Sequence, residues 1–171
     1  MSDPGLEKLL HRLSDNLSED KLVQRVTHNV RKKLGVDRVV LYYFYRQWKG
    51  RVTFESLSTS EYSILGSTGP DECFNEEYAE LYLNGRVRAI SDIATAAIAE
   101  CHRDFLKEIQ VKANLVVPVL TPKGLLWGLL VAHHCQDSFH WSENNIEIMK
   151  LGAQKLAKAR AIRDEKIKSE K

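Results

Sequence analysis

The cysteines and histidines are the residues of this chain best suited to covalent or acid–base chemistry. Cys101 and His102 are adjacent, in a stretch that reads as helical and continues into Asp104 and Phe105. A Cys–His dyad needs the imidazole beside the thiol, held there by a third group. Neighbouring helical residues project ~100° apart and do not face each other. That argues against a protease-type dyad. The same spacing suits two neighbouring contacts on one large flat ligand or, more plainly, a structural cysteine beside a hydrogen-bonded histidine. Cys73 lies in Asp71-Glu72-Cys73-Phe74, just after Gly69-Pro70 in a polar loop. A carboxylate two residues away does not activate a thiol. Reactivity at Cys73 must come from proximity to an electrophile. Cys135 follows His133-His134 at the end of an apolar run and reads as a buried thiol.

The three cysteines form no C-x-x-C pair, which argues against a structural zinc site. Their odd number suggests a reducing compartment and a cytoplasmic location rather than a disulfide framework. Met1 to Leu10 carries Asp3, Glu7 and Lys8 and lacks the apolar run of a secretory signal.

Composition narrows the classes. With 171 residues, 43% hydrophobic and 28% charged, the chain is the size of one domain with a real core. No stretch approaches ~20 uninterrupted apolar residues, so no membrane contact by this domain is expected. Net charge is +2, with Lys plus Arg 25 and Asp plus Glu 23. The basic excess collects between Lys155 and Lys171, a segment with no aromatic residue. That pattern is a solvated helix end and not a nucleic-acid interface.

The elements that must position these residues can be read in order. Residues 1–17 form a flanking helical segment. Leu22, Val23, Val26, Val30 and Leu34 recur at helical spacing, with Ser18 as N-cap and Gly35 as terminator. Arg38 to Tyr45 is β-branched and aromatic, and Arg51 to Ser58 alternates, so the two read as a hairpin turning at Gln47 to Gly50. A long polar connection runs from Thr59 to Glu77. A short helix over Glu76 to Leu83 is stopped by Asn84-Gly85. Val87 to Ile90 reads as a short strand, and Ala94 to Ile109 as helical. Asn114 to Leu120 and Leu125 to His133 are apolar runs joined by Thr121-Pro122-Lys123-Gly124, a second hairpin buried on both faces. Pro118 marks an edge or a bulge. Ser142 caps a last helix running to about Lys168, ~40 Å long. Its apolar stripe is Ile146, Met149, Ala153 and Leu156, and a helix that outruns its domain is a connector, a dimer seam or a frayed end. The order predicts an α+β domain, an antiparallel sheet with helices gathered on one face.

These residues, taken together, resemble the bilin-binding GAF domains of cyanobacteriochromes, photoreceptors related to phytochromes. The matching pieces are Asp71-Glu72-Cys73-Phe74, Gly85-Arg86-Val87, Ser91-Asp92-Ile93, Cys101-His102, Val111 to Val119, Leu126 to His133 and Trp141. The Asp-x-Cys-Phe piece resembles the subgroup with two cysteines on the chromophore. The resemblance implies a GAF domain over 18–156, with a sheet, helices on one face and a chromophore pocket of loops and short helices on the other. Residues 157–171 would extend the last helix toward an output signalling domain, with a homodimer through the terminal helices as a further implication.

The implied roles are specific. Cys101 would carry a thioether to ring A of a linear tetrapyrrole, phycocyanobilin or the phycoviolobilin formed from it. His102 would pack against the inner rings. Asp71 would accept hydrogen bonds from pyrrole N–H groups, and Phe74 and Tyr82 would line the pocket. Cys73 would add reversibly to the central bridge, splitting the conjugated system and moving absorption to the violet or blue. Photoisomerisation of the bridge to ring D would release it, restoring green or teal absorption. Leu81 stands where some relatives carry a basic residue, and Phe139-His140-Trp141 lacks an arginine often found there. The propionate candidates are Arg86, Arg88 and Lys112. The implied function is a photosensory module and not an enzyme. Two other classes fit the residues alone: a non-photoactive GAF dimerisation or small-ligand module, and a thiol enzyme or redox sensor. Colour separates the first two, and thiol reactivity without pigment separates the third.

Overall fold

The computed structural model describes residues 4–46, 49–68 and 81–164. Helix α1 (Pro4–Glu19) opens on a proline, whose missing N–H costs nothing in the first turn. It buries Leu10, Leu13 and Leu17 along one face. Helix α2 (Lys21–Leu34) follows at once. Its N-cap is Asp20, not Ser18. Ser18 still belongs to α1, whereas a cap needs the extended backbone that Asp20 has at φ −81° and ψ 115°. One Asp20 oxygen accepts from the backbone N–H of Leu22 (3.0 Å) and of Val23 (3.2 Å). Gly35 ends α2 at φ 68°, donating to the carbonyls of Arg31 and Lys32.

Strands β1 (Arg38–Arg46), β2 (Lys49–Leu57), β3 (Arg88–Ile90), β4 (Ala113–Leu120) and β5 (Leu126–His134) form one antiparallel sheet in the order β2-β1-β5-β4-β3. Both predicted hairpins are present. Successive residues of a strand point to opposite faces. Val39, Leu41 and Tyr43 of β1 therefore join Leu115, Val117, Leu130 and Ala132 in a core under the helices. Val40, Tyr42 and Phe44 join Val116, Leu129 and Val131 on the other face. Burial on both faces explains the nearly unbroken apolar runs of β4 and β5. Among the described residues β3 stops opposite Val116, so Pro118 lies where β4 has lost its outer neighbour. The Thr121–Gly124 turn closes with Gly124 at φ 83° and the Leu125 N–H bound to the Thr121 hydroxyl.

The connection after β2 begins with a 3₁₀ turn at Ser60–Tyr62. Residues 64–68 then run back along β2. Val52 N–H donates to Ser67 O, Gly66 N–H donates to Val52 O, and Arg51 bridges Thr68. The edge strand is thereby covered. A helical turn at residues 81–83 ends at Gly85, φ 93°. The helix expected from Ala94 is shorter: α3 is Glu100–Glu108, and residues 91–99 form turns.

The last helix also departs from expectation. It is two helices, α4 (Glu143–Leu156) and α5 (Arg160–Arg163). Ser142 does cap α4, in a reciprocal box with Asn145. The break at Ala157–Ala159 has a packing reason. Ala157, Ala159 and Ile162 are all buried, and Ile162 reaches the core only if the chain bends. The second oxygen of Asp20 accepts from Ala161 N–H (3.2 Å), so one carboxylate ties α2 and α5 together.

Gly128 on β5 lies under β1, where an added Cβ would overlap the Tyr42 carbonyl oxygen. Gly128→Ala is expected to cost about 1–3 kcal/mol of stability. A lower urea midpoint at unchanged m value would show it.

Candidate functional site

Helix α3 is held at its start by side chain–backbone bonds. The Arg103 guanidinium donates to the carbonyls of Ile93 and Ala96, and Asp92 accepts from Ala94 N–H. Cys101 and His102 occupy the first turn of α3, Cys101 exposed and His102 half-buried. His102, Phe105, Leu106 and Ile109 follow helical spacing onto one face, and all four line a cavity.

The floor of this cavity is the sheet face of Val40, Tyr42, Val116, Leu129 and Val131, and the Tyr82 ring closes another side. Its enclosed space is about 70 Å³. Among its polar residues Thr68 is exposed and Ser67 half-buried, whereas Asn114 and His133 are buried. Asn114 is 3% exposed and its side-chain oxygen has no hydrogen-bond partner. His133, also 3% exposed, stands beside Asn114 on the neighbouring strand and beside Arg38 on its other side. Arg38 is fully buried, and its Nε–H donates to His133 Nδ1 (3.0 Å).

A separate groove of about 580 Å³ is lined by residues 86–92 and 95–98; it shares no lining residue with the cavity, and Arg86 beside Tyr82 and Arg88 opposite Val116 link the two. Arg86 and Arg88 supply its positive charge. The Arg86 guanidinium lies 5.6 Å from the Tyr82 ring centroid. His102 stands at the junction. Burial first, then the charges of Arg88 and Arg86, push its pKa down to about 4. It is neutral at physiological pH.

The cavity by itself is far below the ~300–1,000 Å³ of a site for a drug-sized ligand. Cavity and groove together suit an elongated planar molecule with an apolar body and anionic substituents. Asn114 Oδ1 seeks an N–H donor, and the two arginines suit carboxylates.

Of the site residues expected from sequence, Tyr82, His102 and Arg86 come together here, and Cys101 flanks them. Lys112 is exposed and lines neither the cavity nor the groove. Asp71, Cys73 and Phe74 lie outside the described residues. Cys135 is structural. Its thiol is buried, with a pKa pushed up to about 11 by that burial, and its N–H donates to Asp37 Oδ2 (2.8 Å). His134 stacks on Phe139 at 4.3 Å, beside Trp141, whose indole donates to Ile90 O. Sequence reasoning missed Asn114 and His133 as cavity residues, and Arg38 as the residue bonded behind His133. The available signal was strand alternation: Arg38 shares its face with Val40 and Tyr42.

The comparisons with known proteins bear on the family and the fold. Residues 18–159 match the model of the GAF domain family. An uncharacterized protein of Picosynechococcus sp. is 48% identical over 157 residues, 92% of this chain and 96% of that protein. A methyl-accepting chemotaxis protein of Synechocystis sp. is 37% identical over 143 residues, 84% of this chain but only 14% of that protein. The chain thus spans nearly all of one relative and a small part of the other. The structure of the cyanobacteriochrome receptor PixJ superposes with a TM-score of 0.74 at 31% identity, covering 88% of this chain and 97% of that one. The phycocyanobilin-bound GAF domain of a cyanobacterial phytochrome gives 0.71 at 30% identity, covering 92% and 93%.

The neutral His102 has a consequence for acid stability. Its folded pKa is depressed, so between about pH 6.5 and about 4 the unfolded chain takes up a proton that the folded chain refuses. Stability therefore falls as pH falls through that window. His102→Gln is expected to flatten this dependence, measured as a smaller drop in urea midpoint on acidification of the pigment-free protein.

Proposed function

Because the chain belongs to the GAF domain family, we propose that it is a bilin-binding photosensory module, anchored to a linear tetrapyrrole through Cys101. One observation carries this reading. Cys101 and a neutral His102 open α3 where an apolar cavity meets an arginine-lined groove, in a fold shared with a phycocyanobilin-bound GAF domain. When bound, such a pigment supplies visible absorption and a bridge that light isomerises.

The residues of the chain then have distinct tasks. Cys101, exposed at the start of α3, forms the thioether to ring A. The His102 ring packs on the inner rings and, being neutral, adds no charge beneath them. Arg86 and Arg88 receive the propionates, with Lys112 at the periphery. Asn114 Oδ1 accepts an N–H, and Tyr82 packs against one edge. Asp71 accepts from the pyrrole N–H groups, Phe74 closes the pocket, and Cys73 forms the second, reversible linkage. The two states are a violet- or blue-absorbing form and a green- or teal-absorbing form, with phycocyanobilin or phycoviolobilin as the pigment. The longer of the similar proteins supports a role as the input segment of a multidomain signalling protein. Differential stabilisation of two pigment isomers biases two protein states.

Co-production with phycocyanobilin tests this. The purified protein is expected to be coloured and to switch reversibly on violet-blue illumination. Cys101→Ala should lose the pigment on denaturation, whereas Cys73→Ala should keep it but stay in the long-wavelength form. A coloured protein that never switches would retain the bilin site and remove the reversible linkage. A colourless protein would leave a non-photoactive GAF module.

A further inference from the structure

Arg38 is the most heavily buried cation among the described residues, at 0% exposure, and no carboxylate neutralises it directly. The nearby Asp37 is otherwise engaged. It accepts from Cys135 N–H, from the Gln136 side-chain amide and from the Ser58 hydroxyl. Arg38 instead spends three donors on three separate elements. Nε–H goes to His133 Nδ1 on β5 (3.0 Å), one terminal nitrogen to Tyr62 O in the 3₁₀ turn (2.7 Å), and the other to Ile109 O (2.6 Å). Ile109 is the C-cap of α3, where the helix end carries partial negative charge. A buried guanidinium is tolerated only when its donors are satisfied, and here those donors tie three elements distant in sequence to one point. That geometry gives Arg38 a task in position.

The chemistry of the first bond defines that task. A guanidinium can only donate, so Nδ1 must be the unprotonated nitrogen of the ring. A neutral imidazole then carries its proton on Nε2. The opposite tautomer, or imidazolium, would set two N–H groups head to head in a buried site. We propose that Arg38 is a positioning residue of the cavity. It locks His133 as the neutral Nε2–H tautomer, presents that N–H to the cavity as a fixed donor, and couples it to the end of α3 and to the turn after β2. The spectral consequence rests on the bilin reading above, whereas the tautomer does not.

Among the described residues, the titratable groups around the pair are Asp37 before β1, Glu55 on β2, Tyr62 in the 3₁₀ turn, Cys135 after β5 and, on the shared cavity wall, His102 on α3. On β4, the residue opposite His133 is the uncharged Asn114. Burial and the Arg38 charge both hold the His133 pKa well below its ordinary value.

Two measurements test the proposal. The first is the ¹⁵N spectrum of the His133 ring in the pigment-free protein, followed from neutral to mildly acidic pH. Protonated Nε2 and bare Nδ1, unchanged across the range, are expected. A Nδ1–H signal, or titration near the ordinary histidine pKa, would overturn the lock. The second is the absorption spectrum of the phycocyanobilin-loaded protein over the same range. Arg38→Met should displace the band and make its position pH-dependent, and adding His133→Gln should abolish that pH dependence. Arg38→Lys, which keeps the charge and an N–H, should restore a pH-independent band. A folded, coloured Arg38→Met protein with the parent spectrum at every pH would overturn the proposal. If Arg38→Met does not fold, the ring spectrum of the parent protein decides. A colourless parent protein would defeat the bilin reading, and the ring spectrum would still confirm or overturn the role of Arg38.

Discussion

The two-sided burial of β1 and β5 is the constraint on which the rest of the structure depends. A strand in mid-sheet must offer two different surfaces from one alternating sequence. On one side Val39, Leu41 and Tyr43 meet Leu130, Ala132 and the helices. That side is a packed core. On the other, Val40 and Tyr42 meet Leu129 and Val131 beneath α3. That side is filled less completely and becomes the cavity. A register slip of one residue would exchange the two surfaces and destroy both. Gly128 helps to fix the register, because only a residue without Cβ fits against the Tyr42 carbonyl.

The same alternation explains how polar groups enter an apolar cavity. Arg38, His133 and Asn114 lie side by side across β1, β5 and β4 at one end of the sheet. The next residues on the same face of each strand are valines. The polar row therefore closes one end of the cavity, while His102, Arg86 and Arg88 mark its junction with the groove. Charge is handled differently at the two ends. Arg38 is buried and consumed by hydrogen bonds within the fold, whereas Arg86 and Arg88 line an open groove. Both histidines are kept neutral by burial and by a nearby arginine charge, so neither adds positive charge to the cavity wall.

The C-terminal segment has its own consequence. A straight helix from Ser142 would have carried its end away from the domain. Instead the chain bends after Leu156, Ile162 returns to the core, and Asp20 caps α2 with one oxygen and α5 with the other. The two ends of the domain are thereby joined on the helical side of the sheet, opposite the cavity. A change in the cavity would have to reach them through the sheet or through the elements that Arg38 grips.

Much of this was determined locally. The α2 stripe and its terminal glycine, the two hairpins, the two-sided burial of β4 and β5, and the Ser142 cap follow from spacing and turn chemistry that act within a few residues. The Cys101-His102 pair could be placed on a helix, and the family resemblance rested on motifs readable in order. Tertiary packing decided the rest. Residue type offers Ser18 as the cap, and the end of α1 at Glu19 moves it to Asp20. Ile162 lies beyond the apolar stripe that ends at Leu156, in a charged segment, and only the core space beside α1 makes it a reason to bend. Arg38 opened a strand as an ordinary exposed arginine would, because nothing within ten residues shows that Tyr62, Ile109 and His133 converge on it. Local pattern fixes which face a side chain takes. What waits on that face is set by residues far away in the chain, and only the folded structure brings them there.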